Sequence, residues 1–259
     1  AAKTPSDEQV VQALQDAGLD AAHQQLHRYP HELSGGQRQR VLIAIALATE
    51  PKVIIADEAT SALDVTVQRR ILDHLTRLVT DQNIALILIT HDLAVAAQRS
   101  HRMLVLDAGR VAEYGPTDQL IANPQSVVTR QLLDAAPALS ATGQLTWGRY
   151  HQGAPDVAST TNRPLVVMDR VSKSFTSRTN GTTVGTETVQ ALDHVSLEIP
   201  RGQTLGIVGE SGSGKSTLLR VTLALTKPST GRVVYDGQQL AELSARDLRQ
   251  LRRRFQLVQ

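Results

Sequence analysis

Apolar residues gather along this chain in short unbroken runs, separated by stretches with helical spacing. Val53–Ala56, Ile84–Ile89 and Met103–Leu106 are continuous rather than alternating. That pattern predicts strands buried on both faces, as in a parallel sheet covered by helices. Residues 6–32 read as helices: Ser6-Asp7-Glu8 is a start signal, Val10, Val11 and Leu14 share one face, and Gly18 is a stop. After Pro30, Ser34 stands at an N-cap and Gln37 at the third helical position, a capping-box spacing. The helix predicted there runs through Val41, Ala44, Ile45 and Ala48 and ends before Pro51. Asp57 and His91 each follow the carboxyl end of a predicted strand, where such sheets place ligands.

From Pro137 to Arg163 the periodicity dissolves into Ala, Ser, Thr, Gly and Pro, the composition of a linker, with Trp147 and Tyr150 available to pin it to a surface. A second patterned region follows. Leu165–Met168 and Val195–Ile199 are strand-like, and Leu205–Val208 is a buried strand feeding a glycine-rich loop. Ser216–Leu225 is predicted helical, Val233–Gly237 carries a hairpin signal, and Arg246–Arg254 is a basic helix. The expected organisation is therefore residues 1–136, a linker over 137–163, and residues 164–259, with no tandem repeat.

Composition narrows the class only at a few points. With 41% hydrophobic residues over 259 positions the chain can form a packed core without covalent staples. It has no cysteine, which removes disulfides and thiolate metal sites and agrees with a reducing compartment. A formal net charge of +2 gives no argument for nucleic acid. The longest apolar run, Val41 to Ala48, is too short to span a bilayer, and no basic-then-apolar leader is present.

Three strings carry chemistry. Gly209-Glu210-Ser211-Gly212-Ser213-Gly214-Lys215-Ser216-Thr217 matches GxxxxGK[ST] between a predicted strand and a helix. Its glycines allow backbone N–H groups to approach phosphate oxygens, helped by the helix dipole. Lys215 would contact the β- and γ-phosphates, and the Ser216 hydroxyl would ligate Mg²⁺. Leu33-Ser34-Gly35-Gly36-Gln37 opens a helix and presents Ser34 and the N–H groups of Gly35 and Gly36 as a second anion site. Val53-Ile54-Ile55-Ala56-Asp57-Glu58 is a buried strand ending in two carboxylates.

Together these strings resemble the P-loop, signature loop and Walker B strand of ATP-binding-cassette (ABC) ATPases. The resemblance implies a P-loop NTPase-type α/β fold: a mostly parallel sheet covered by helices, part of a helical subdomain, and an antiparallel β portion near the P-loop. It implies that Asp57 holds Mg²⁺ and that Glu58 polarises the attacking water. Thr60-Ser61-Ala62-Leu63-Asp64 is similar to the family's D-loop, which lies between opposed sites. His91, before Asp92-Leu93, stands where the switch histidine contacts the γ-phosphate, and Phe175 matches the aromatic that stacks on adenine. The segment Phe255–Gln259 approaches the Q-loop without identifying its glutamine.

Residues 26–137 resemble the peptide-permease subgroup, including Tyr29-Pro30-His31-Glu32 and the tail from Val105 to Pro137. That implies an ATP-hydrolysing subunit at the cytoplasmic face of the membrane. Its partners would be two transmembrane permease subunits and an extracytoplasmic solute-binding protein, with no nucleic acid. Two rivals stay open: a tandem-cassette translation or repair factor, and an exporter.

One feature is out of order: in a single cassette the P-loop precedes the signature, and here it follows. The expectation is an internal stretch of a tandem protein, 1–136 closing a first cassette and 164–259 opening a second. Phe175, Lys215 and Ser216 would then face Ser34 and Gly36 in one site, and Asp57, Glu58 and His91 would serve another. Neither site would be complete, so the 259 residues alone would bind nucleotide weakly and not turn over. The alternative, a permuted cassette in which the second part's P-loop completes the first part's sheet, would need a Q-loop and most of a helical subdomain between residue 259 and residue 1.

Overall fold

The computed structural model describes residues 5–60, 63–136, 163–179 and 185–258. The elements of the first part are α1 (Asp7–Asp16), α2 (Ala22–Gln25), α3 (Gly35–Leu47), β1 (Val53–Asp57), α4 (Val65–Asp81), β2 (Ala85–Thr90), α5 (Leu93–Arg99), β3 (Arg102–Asp107), β4 (Arg110–Pro116), α6 (Thr117–Ala122) and α7 (Val127–Asp134). Those of the second are β5 (Val166–Thr179), β6 (Gly185–Ile199), β7 (Thr204–Val208), α8 (Lys215–Thr222), β8 (Thr230–Tyr235), β9 (Gln238–Gln239), α9 (Ala245–Arg252) and β10 (Phe255–Val258).

The main sheet draws strands from both parts, in the order β10-β1-β2-β7-β3-β4. Four of its five neighbour pairings are parallel; β3 and β4 form an antiparallel edge. Strand β7 sits between β2 and β3, pairing Leu86–Thr90 with Thr204–Val208 on one side and Arg102–Val105 with Leu205–Val208 on the other. The two parts thus share this main sheet, whereas the linear division read them separately. The first part leaves a gap between β2 and β3, and β7, buried at all five positions, fills it.

Alternation of side chains explains why the central strands are apolar throughout. Val53, Ile55, Ile87 and Ile89 point to the face packed by Leu218, Leu219 and Val221 of α8. Ile54, Ala56, Leu86 and Leu88 point to the opposite face, against Ile71, Leu72, Leu75 and Val79 of α4 and Ile43 and Ala44 of α3. A third cluster packs Leu93 and Ala96 of α5 with Met103, Val105 and Val208.

The second sheet is antiparallel, in the order β6-β5-β8-β9. Its first two strands extend much further than the short runs read from the sequence. Along these arms residues 173–176 and 188–190 are exposed or only half-buried, so no continuous apolar run marks them, and the pairing carries irregularities between Met168 and Ser174. The capping predictions hold in detail. Ser34 Oγ accepts from the N–H of Gln37 at 3.3 Å, and the Gln37 side chain accepts from the N–H of Ser34 at 2.9 Å. The linker with Trp147 and Tyr150, together with Ser61, Ala62 and Gln259, lies outside the described residues, apart from Arg163. Among the described residues no helix is long and apolar enough to cross a membrane.

Candidate functional site

A cavity of about 660 Å³ opens at the carboxyl ends of β1, β2 and β7. From the loop between β7 and α8 it is lined by Ser211, Gly212, Gly214, Lys215, Ser216 and Thr217. The ends of β1 and β2 contribute Asp57, Glu58 and His91. The third wall, Val189, Gln190 and Ala191 of β6, was not singled out in the sequence. Its only signal there is a short Val-Gln-Ala stretch within a polar strand.

The loop around Lys215 is shaped by close backbone approach. A Cβ on Gly209 would lie 2.2 Å from the carbonyl oxygen of Leu106, and one on Gly214, whose φ is +106°, would lie 2.6 Å from that of Ala191. Over Gly212 there is open space within 4 Å. The Nζ of Lys215 donates to the carbonyl oxygens of Gly209 at 2.8 Å and Glu210 at 2.7 Å. This holds the ammonium inside its own loop. Ser213 is buried with its Oγ lacking a hydrogen-bond partner. Such a cradle of glycine N–H groups and an ammonium at a helix start suits a polyphosphate.

Opposite the cradle, Glu58 leaves β1 with a φ of 49°, a left-handed conformation that L residues rarely adopt, fixed by its N–H donating to Ile89 O at 3.0 Å. Its Oε1 lies 3.5 Å from Nδ1 of His91. His91 sits in a turn held on its far side by Asp92, whose N–H donates to Thr90 Oγ1 and whose carboxylate caps α5.

Burial raises the pKa of Asp57, and Glu58 adds to the effect; Lys215 and Arg220 oppose it. Burial likewise lowers the pKa of Lys215, against the pull of Glu58 and Asp57. Burial thus opposes the charged form of both groups, and each partly offsets that for the other.

Among the described residues no cluster of three or more His, Asp or Glu forms a metal cage. The Asp57 carboxylate and Ser216 hydroxyl share the cavity as hard oxygen donors. That donor set fits Mg²⁺ held jointly with phosphate oxygens and water.

The remaining sequence candidates lie elsewhere. Ser34, Gly35, Gly36 and Gln37 start α3 and are not among the residues lining the cavity. Ideal Cβ positions on Gly35 and Gly36 lie 2.9 Å from Leu63 and Val67, so the signature turn packs on the segment that follows β1. Asp64 caps α4, accepting from the N–H groups of Thr66 and Val67. Phe175 is half-exposed, pairs across the strands with Val189, and has Lys173 Nζ 5.1 Å from its ring centroid. Asp57, Glu58 and His91, expected from the sequence in a different site from Lys215 and Ser216, lie beside them in this stretch. Insertion of β7 beside β2 brings all five to one cavity.

A family model described as ABC transporter matches residues 2–61 and 192–259. The glutathione import ATP-binding protein GsiA of Escherichia coli (strain K12) is 38% identical over 267 residues, covering 97% of this chain and 43% of its own length. The peptidoglycan transport ATP-binding protein YejF of Agrobacterium fabrum is 38% identical over 254 residues, with the same two shares. This chain thus spans less than half the length of the curated relatives it matches. A solved dimeric bacterial ABC transporter cassette is 32% identical over 45% of this chain and 51% of its own, with a TM-score of 0.39.

Proposed function

We propose, for a chain that belongs to the ABC transporter family, that the protein is the ATP-binding and ATP-hydrolysing subunit of an importer for peptides or related small solutes. The observation that carries the chemistry is the cavity in which Lys215 and Ser216 face Asp57, Glu58 and His91. The solute class rests on relatives named for glutathione import and peptidoglycan transport.

In this reading the loop N–H groups and Lys215 bind the β- and γ-phosphates, and Thr217, Ser211 and Ser213 complete the cradle. Asp57 and Ser216 would hold Mg²⁺, which would supply positive charge against that developing in the reaction. Glu58 orients water for in-line attack, and His91 fixes that carboxylate and meets the γ-phosphate. Stabilisation is mainly electrostatic, through positions set before the reaction. Phe175 and Val189 offer an apolar platform for the base. Ser34, Gly35, Gly36 and Gln37, with Asp64 behind them, form a second anion-binding surface that closes on a nucleotide held by an opposing cassette.

Residues 1–136 correspond, on this proposal, to the carboxyl-terminal part of one cassette, 137–163 to a linker, and 164–259 to the amino-terminal part of the next, so the shared cavity stands for the geometry that each cassette completes with its own remaining portion. The family model supports this by matching a signature-bearing stretch first and a P-loop-bearing stretch second. Partners are two membrane-spanning permease subunits and a solute-binding protein, with the ATPase at the cytoplasmic face.

The test uses the full-length protein with its permease in proteoliposomes. Glu58→Gln should retain ATP binding while phosphate release and solute uptake both fall at least about a hundredfold, the range for loss of a positioned base. Unchanged turnover would remove Glu58 from this role.

A further inference from the structure

We infer that Lys173 is a positioning residue for the nucleotide base: its ammonium holds one face of the Phe175 ring, and the other face receives a purine. This rests on the nucleotide-binding role proposed above and adds to it the residue that sets the ring.

Every residue concerned lies in the second part of the chain. Lys173 and Phe175 stand two positions apart on β5, so their side chains leave the same face of the strand. Nζ of Lys173 lies 5.1 Å from the ring centroid, within the range of a cation–π contact. Among the described residues no carboxylate pairs with Lys173, so the ring is the partner that fixes its ammonium. Lys173 is half-buried, whereas Phe175 is 43% exposed, which leaves ring surface open to a ligand.

The strand pairing brings this pair beside the cavity. Lys173 pairs with Leu192 and Ser174 with Gln190, which leaves Ala191 as the extra residue of a bulge. The bulge lies against the phosphate loop, where a Cβ on Gly214 would be 2.6 Å from the Ala191 carbonyl oxygen. Gln190 Nε2 donates across it to Leu192 O at 2.8 Å, and the N–H of Ser174 donates to Ser229 Oγ at 3.1 Å. The backbone between Lys173 and Phe175 is thereby tied to the start of β8. Val189, paired with Phe175, lines the cavity itself. A base joined to a triphosphate in the cradle meets the ring along this arm. The ammonium on one face draws π density towards itself, which favours an electron-rich purine on the other.

The test uses the full-length protein, photolabelled with 8-azido-ATP and read on the peptides that hold Phe175 and Val189, so that only this site is scored. Displacement of the label by ATP, CTP or inorganic tripolyphosphate gives the affinity of each. Lys173→Met should weaken ATP about two- to fivefold, the range of an exposed cation–π contact, narrow the contrast between ATP and CTP, and leave tripolyphosphate unchanged. Lys173→Arg should restore the parent values, and Lys173→Met added to Phe175→Leu should cost nothing more. Equal losses for ATP and tripolyphosphate would make Lys173 a phosphate contact. Unchanged ATP affinity, no rescue by Arg, or a further loss in the double variant would each detach Lys173 from the ring. Any of these overturns the inference while the nucleotide site stands. Label that neither ATP nor tripolyphosphate displaces from the parent would overturn the nucleotide-binding role itself, and this inference with it.

Discussion

Glu58 and His91 face each other at 3.5 Å across the mouth of the cavity, each placed by a different strand end and each backed by its own turn. Replacing His91 with Ala leaves Glu58 without this partner while the phosphate cradle is untouched. Steady-state phosphate release by the full-length protein should fall by about a hundredfold or more, with ATP affinity within about threefold, as for loss of a group acting on the transition state. A proportional loss of ATP affinity would instead make His91 a ground-state ligand.

The two perturbed charges define a pH window for nucleotide binding. Lys215 has its pKa lowered by burial, so it loses its proton at a lower pH than the ordinary 10.5. Asp57 has its pKa raised by burial and by Glu58, so it gains a proton above the ordinary 3.8. Affinity for Mg²⁺–ATP should therefore drop on both sides sooner than ordinary side chains would give. For the nucleotide-free fold the signs are opposite to those of a stabilising ion pair. Stability rises with pH as Lys215 deprotonates early, and falls with pH as Asp57 ionises late. Lys215→Met should flatten the alkaline limb of a binding-versus-pH curve and Asp57→Asn the acid limb.

Gly209 and Gly212 stand in the same loop with opposite tolerances. A methyl group on Gly209 would collide with Leu106 O at 2.2 Å and Ser213 Oγ at 2.7 Å, whereas on Gly212 it meets nothing within 4 Å. Gly209→Ala should destabilise the fold by about 2–3 kcal/mol, through backbone displacement at the β3–β7 seam. Gly212→Ala, carrying only the strain of its φ of +81°, should cost about 1 kcal/mol. Thermal unfolding of the two variants side by side provides the comparison.

Ser34 has one role seen in the structure and one proposed for it. As N-cap of α3 it satisfies the N–H of Gln37. Ser34→Ala should therefore lower stability by about 1 kcal/mol in denaturant unfolding of the 259-residue chain, and Ser34→Gly by less. In the full-length protein the same substitutions should both reduce turnover if, as proposed, the hydroxyl meets a nucleotide held by an opposing cassette. Equal turnover in Ser34→Gly and the parent would restrict Ser34 to capping.

Much of this was legible because the physics is local. The capping box at Ser34 and Gln37, the acidic strand end at Asp57 and Glu58, and the glycine loop before Lys215 each follow from a few adjacent residues. The assembly was not legible in the same way. Nothing near Thr204–Val208 says which strands will flank it, since an all-apolar run of five fits any parallel slot. Val189 escaped notice because it lies on a strand arm that buries little, and its exposed position matters only once the loop and β1 are brought beside it. Asp64, assigned by resemblance to a loop between opposed sites, also caps α4, a local role that its position before Val65 made legible.

The hydrogen bond from Thr204 to His101 joins positions 103 residues apart. Were the 259-residue stretch made by itself, a ribosome would release β1, β2 and β3 long before β7, the strand seated here between β2 and β3. For that interval the nascent sheet carries two bare inner edges flanked by Leu, Ile and Val, the surface most prone to off-pathway pairing. Folding of this stretch should accordingly be slow, concentration-sensitive and responsive to chaperones, with its rate set by how soon the distal segment arrives.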